Sequence, residues 1–155
     1  MLSPFIKKLM FARQFVMSDG KIEVLGRRQV MLPLELLADL QKLNEVEAYN
    51  VIKEDIRMIM VAFSQKIGSN SAGMFKNIED IFECFGFGKP EIVVLDQSKK
   101  SVTVRFHDTP VRLVSEVVLP GALAGTFSFL FGKKVDCTYK TCPVNGSGFC
   151  EFRIE

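Results

Sequence analysis

Apolar residues in this chain follow two spacings. Through the middle they recur every three or four positions, as on one face of a helix. Toward the C-terminus they alternate with polar residues, as in a strand with one buried side. Leu36, Leu37, Leu40 and Leu43 predict a helix opening at Pro33 and running to about Leu43. Asn44 then stands as the N-cap of a longer helix ending at Ile67, with Glu47 as its capping-box partner. Val46, Tyr49, Ile52, Ile56, Ile59, Phe63 and Ile67 form its stripe. From Met58 to Phe63 it is apolar nearly all round, so this half should be buried on more than one side. Gly68 stops it, and Ser69-Asn70-Ser71 starts a third helix. Met74, Phe75, Ile78, Ile81, Phe82 and Phe85 are its stripe, and Gly86 and Gly88 end it.

The flanks read differently. Residues 1–32 form an arm and a hairpin: residues 13–17 and 21–25 flank the turn Ser18-Asp19-Gly20, and residues 29–32 make a third short strand. Beyond Gly88, residues 92–96 and 101–106 are strands joined by a turn, with Val102, Val104 and Phe106 on the buried face. His107, the sole histidine, ends that strand on the Arg105 side. Asp108 or Thr109 caps a helix with Pro110 in its first turn.

The last quarter organises the rest. In residues 121–131, Gly121, Gly125 and Ser128 make a stripe of small residues beside Leu123, Phe127, Leu130 and Phe131. Such a stripe lets another backbone approach closely. The apolar run is too short to span a bilayer and Pro120 interrupts it, so a buried core helix is expected. Gly132 suits its C-terminal end. Three cysteines follow: Cys137 on an incoming strand, then Cys142 and Cys150 across a loop containing Asn145, Gly146, Ser147 and Gly148. Cys150, Phe152 and Ile154 share one face of the final strand. Free core thiols, a disulfide and a zinc site are all open from the residues alone. Zinc takes four ligands, so three thiols need a fourth from Glu116, His107 or water. Cys84 reads as packing.

The run P-G-A-L-A-G, then F-G-K-K-V, then Cys142 and Cys150 followed by E-F resembles the 4-vinyl reductase, or hydrocarbon-binding, domain family. F-G-F-G-K-P-E-I-V-V-L-D and S-V-T-V-R-F extend the resemblance from about Phe85 to the end. It implies the mixed helix-and-sheet domain shared with vesicle-tethering subunits, the ligand-binding fold of nitric oxide signalling and Golgi transport. It also implies a small apolar ligand, a structural zinc and a homodimer, in a free-standing archaeal-type member. Cys142 and Cys150 match the family's last two zinc ligands. Glu116 stands where the family has a cysteine, and Tyr139 where it has an acidic ligand. Cys137, two residues before Tyr139 on the same strand face, would exchange places with that carboxylate, giving Cys137, Cys142, Cys150 and Glu116, with His107 the alternative fourth ligand.

Composition narrows the function. The 155 residues are 48% hydrophobic and 25% charged, which fits one globular domain over 1–155: arm and hairpin 1–32, helical 33–88, family-like core with cysteine loop 89–155. A net charge of +2 gives no case for direct nucleic-acid binding. No signal peptide or spanning run is read, so a cytoplasmic protein is expected. There is no dinucleotide fingerprint and no phosphate loop, and one histidine leaves acid–base chemistry few players. A binding module is favoured over catalysis. The expected fold is α+β, an antiparallel sheet covered by helices. Its abundant Phe and Met imply an apolar pocket walled by Met58, Met60, Phe63, Phe82 and Phe127. The ligand would be a hydrocarbon, acyl chain or aromatic, held by a sensor or carrier with zinc stapling the cysteine loop. Alternatives are a ligand-free dimeric interaction subunit and an accessory of a tetrapyrrole vinyl reductase.

Overall fold

The computed structural model describes residues 4–67, 71–75, 77–109, 117–141 and 148–155, with the backbone alone at residues 4, 5, 41, 67, 71, 72 and 84. Two compact units form, Met1–Pro33 and Leu34–Glu155.

The first unit holds α1 (Pro4–Phe11), β1 (Phe15–Ser18), β2 (Lys21–Val24) and β3 (Arg27–Gln29). The strands make an antiparallel meander in that order. The arm expected at the start is therefore partly a helix, with Ile6 and Leu9 one turn apart and Lys7 and Lys8 beside them. The expected hairpin turns at Asp19-Gly20. A second turn, at Leu25-Gly26, has both central residues at positive φ (53° and 76°), as a two-residue hairpin turn requires. That turn starts β3 at Arg27 rather than in residues 29–32.

The second unit runs α2 (Leu34–Gln41), α3 (Glu45–Ile67), α4 (Ser71–Phe75), α5 (Ile78–Cys84), β4 (Lys89–Asp96), β5 (Ser101–His107), α6 (Val118–Phe131), β6 (Cys137–Thr141) and β7 (Cys150–Ile154). At the start of α3 the Glu47 N–H donates to Asn44 Oδ1 at 3.2 Å, and Asn44 Nδ2 donates to Glu47 Oε2 at 2.9 Å. The cap expected from the sequence is in place. The single helix expected over residues 69–85 is two short ones instead. Asn77 Nδ2 donates to the Gly73 carbonyl at 3.2 Å, competing with the backbone donor that would continue α4.

The four-stranded sheet has the order β4-β5-β7-β6, every pair antiparallel. Along β5 and β7 alternate residues are buried, so Val102, Val104, Phe106, Cys150, Phe152 and Ile154 line one face. On the other face Glu91, Arg105 and Glu151 stand in register. Every residue of α6 except Phe129 is buried. Pro120 lies in its first turn, and Gly132 closes it in the left-handed conformation. Its small stripe meets α3. A Cβ on Gly121 would lie 3.1 Å from Ile52 Cγ2, and one on Gly125 would run into the Lys53 carbonyl oxygen. This is the α+β architecture expected, with an antiparallel sheet and helices against it. Among the described residues no helix is long and apolar enough to cross a membrane.

Candidate functional site

The interior is built largely of rings. Phe127 and Phe131, one turn apart on α6, have centroids 5.6 Å apart, and Phe75 of α4 lies 6.1 Å from each. A second set begins at α5. Phe82 packs on Phe87 at 5.7 Å and on Phe106 at 5.5 Å. Phe106 meets Phe152 at 6.0 Å, and Phe152 meets Tyr139 at 5.7 Å. All of these pairs are tilted or edge-to-face, and the edge-to-face ones (Phe82–Phe106, Phe106–Phe152 and Tyr139–Phe152) have the arrangement ring quadrupoles favour. Buried positions among the described residues carry no charge: Thr126 and Ser128 are the polar ones. Ser128 Oγ accepts from the Val135 N–H at 3.1 Å, so its hydroxyl is occupied.

Of the expected pocket wall, Met60, Phe63, Phe82 and Phe127 are buried. Met58 is not: it is 48% exposed, and Arg57 Nη2 lies 3.4 Å from its sulfur. The reason is angular. Two residues apart on a helix is about 200° of rotation, so Met58 and Met60 take nearly opposite sides. Phe82 and Phe127 fall in the two different ring sets.

A polar junction ties α3 to β6. Tyr49 and Lys53 are one helical turn apart and both reach residue 136. The Tyr49 hydroxyl donates to Asp136 Oδ1 at 3.1 Å and accepts from the Cys137 N–H at 3.0 Å. Lys53 Nζ pairs with the same Asp136 oxygen. Burial pushes the Tyr49 phenol up to about 12, assisted by the Asp136 carboxylate. Hydrogen bonding to Lys53 holds Asp136 below the ordinary carboxylate range. Burial first, and Asp136 second, push the Cys137 thiol up. This is an anchoring arrangement. Nothing in the sequence spacing signals it, because its halves lie 87 residues apart.

The expected metal ligands separate. Glu116 and Cys142 lie outside the described residues. Cys137 is a free thiol opposite Ile154, whereas Cys150 is opposite Phe106. Four residues of strand at about 3.3 Å each put Cys137 about 13 Å from Cys150, far beyond two ligands of one ion. Cys150 is disulfide-bonded. His107 takes the opposite sheet face from Cys150, where Nε2 lies 3.1 Å from Glu91 Oε2. On that face Phe149 stacks under Arg105, whose Cζ is 4.4 Å from the ring centroid, and Arg105 Nε donates to Glu151 Oε2 at 2.7 Å. Among the described residues no group of three His, Cys, Asp or Glu side chains is placed to hold a metal. Neither Cys137 nor His107 joins Cys150.

Solved structures share this fold. The phenol-responsive sensory domain of the transcription activator PoxR, solved with phenol, superposes with a TM-score of 0.68 at 15% identity, covering 99% of this chain and 90% of that one. A trafficking protein particle complex subunit 3 from Naegleria fowleri, covalently bound to palmitic acid, gives 0.55 at 18% identity over 79% of this chain and 93% of that one. A vinyl-4-reductase family protein from Methanocaldococcus jannaschii gives 0.54 at 18% identity over 82% and 83%. No family model and no curated protein matches the sequence. The fold is therefore the one read from the C-terminal residues, shared by the vinyl-4-reductase protein, the sensory domain and the trafficking subunit.

Proposed function

We propose that this protein is a binding module for a small apolar ligand, acting as a sensor or carrier. The observation that carries the reading is the likeness, over 99% of the chain, to a sensory domain solved with phenol. The trafficking subunit bound to palmitic acid supports it from a second direction. The uncharged, ring-lined interior is the chemistry such a ligand needs: apolar area on both partners leaves water, and no buried charge repels it. Hydrocarbon, acyl and aromatic bodies all satisfy this.

The test is native mass spectrometry of the protein as purified, followed by extraction and titration with palmitate and with phenol. A co-purified apolar adduct, or binding of either compound, supports the reading. A bare chain that binds neither overturns it. Bound pigment would instead favour the tetrapyrrole accessory.

A homodimer is proposed on a separate observation. Leu36 and Leu40, one turn apart on α2, are 45% and 48% exposed, and Leu43, just past its end, is 81% exposed. Burying such a stripe favours association. Light scattering reads the outcome, and a dimer without ligand would favour the interaction-subunit reading. A structural zinc is a further proposal, confined to the reduced protein and to Cys142, Cys150 and Glu116. One zinc per chain, lost to a chelator, would support it; metal-free reduced protein would exclude it.

A further inference from the structure

We infer that the exposed leucines of α2 are covered by the first unit of a second copy of this chain, each copy laying its basic unit on the acidic α2 of the other. The inference rests on the dimer reading above and names the surfaces that meet. The first unit, Met1–Pro33, is short of core. Among its described residues Leu9, Val24 and Leu25 are the buried apolar side chains, whereas Phe11 is 93% exposed and Val30 and Met31 are each 75% exposed. So small a unit buries too little of its own surface to be stable alone, and a partner surface supplies what is missing.

Charge decides which surface. The first unit carries Lys7, Lys8, Arg13, Lys21, Arg27 and Arg28 against Asp19 and Glu23. All six basic side chains are exposed, and none is in an ion pair among the described residues. Residues 34–47 are the reverse. Glu35, Asp39, Glu45 and Glu47 are exposed there, and the one cation among them, Lys42, is already paired with Asp39 at 3.0 Å. The same stretch exposes Leu36, Leu40, Leu43 and Val46. Two α2 helices set against each other would bring Glu35 and Asp39 of one copy toward those of the next, and like charges so placed repel. The first unit, with Val30 and Met31 just after Arg27 and Arg28 in the chain, matches α2 in both respects: apolar area meets apolar area and cations meet carboxylates. Each copy carries both surfaces, so the exchange is reciprocal and closes at two chains.

The experiment reverses charge on one surface at a time in the intact chain and follows self-association by light scattering. The first variant carries Arg27→Glu and Arg28→Glu; the second carries Glu35→Lys and Asp39→Lys. At low salt each alone is expected to dissociate about 10-fold more readily than wild type, because like charges then meet. Mixed in equal amounts, the two are expected to form a heterodimer about as tight as the wild-type dimer, since acidic meets acidic nowhere and basic again meets acidic on both sides. Weakening of each variant alone with recovery in the mixture supports the exchange. Any other pattern from a dimeric wild type, such as a tighter dimer from the second variant or a mixture that does not recover, overturns it and leaves the dimer reading standing. A monomeric wild type overturns both. Thermal melting checks that each variant is folded.

Discussion

The backbone of Lys53 lies directly against Gly125. A Cβ at position 125 would collide with the Lys53 carbonyl oxygen and come within 3.0 Å of Ile56 Cβ. Backbone cannot step aside as a side-chain tip can. Gly125→Ala is therefore expected to cost about 3 kcal/mol, despite the better helix propensity of alanine. At Gly121 the nearest atoms are Ile52 Cγ2 at 3.1 Å and the Tyr49 carbonyl oxygen at 3.2 Å, tight contacts rather than an overlap. There Gly121→Ala should cost at most about 1 kcal/mol, since propensity offsets a smaller clash. Urea unfolding of the two variants checks the difference. Equal costs would mean that α3 and α6 are not held this closely.

Tyr49 makes the junction of α3 with β6 sensitive to alkali. Its phenol is pushed from 10.0 to about 12, so the folded state keeps the proton that the unfolded state gives up. That contribution is present in full below pH 10 and is lost as pH rises toward about 12. The ring is half-buried, so after solvent screening the loss should be on the order of 1 kcal/mol. Tyr49→Phe should flatten this alkaline dependence. Urea midpoints measured from pH about 9 to about 12 decide it, and an unchanged slope in the variant would assign the effect elsewhere. Asp136 acts at the other end. Its lowered value stabilises the fold above the ordinary carboxylate range, and the gain is lost as pH falls through the folded value.

Cys137 should be a poor nucleophile. Its thiol is pushed up by burial and by Asp136, so little thiolate is present at neutral pH. Alkylation in the native protein is expected to run roughly 100-fold slower than in denaturant. Peptide mapping after a timed pulse of iodoacetamide reports it. Native labelling of Cys137 at the denatured rate would contradict the burial.

Met58 and Met60 separate surface from core on one helix. Met60→Ala should cost about 3 kcal/mol, the cost of a cavity at a site 2% exposed. Met58→Ala should stay within about 0.5 kcal/mol. Thermal denaturation of the pair is enough, and comparable losses would place Met58 inside after all.

Short-range chemistry was legible in the chain itself. The Asn44–Glu47 cap, the Asp19-Gly20 turn, the alternation through Val102, Val104 and Phe106, and the small stripe of Gly121 and Gly125 each depend on residues a few positions apart. Their physics is local: a donor within reach, a permitted φ, a period of two or 3.6. The last of these also foretold that a backbone would approach, though not which one. The breaks in this reading have local causes too: Asn77 taking the Gly73 carbonyl divided a helix that periodicity alone would continue, and Leu25-Gly26 moved a strand.

Tertiary structure decided what distance along the chain hides. Tyr49 and Asp136 meet only because α3 packs along α6 and β6 follows α6. Cys137 and Cys150 lie near each other in sequence, yet antiparallel pairing sets them at opposite ends of β7. Helical rotation turned Met58 outward while keeping Met60 in the core. Sequence specifies which residues avoid water and where the backbone turns. Which side chains then face each other depends on strand register and helix packing, and those are fixed by the whole core at once.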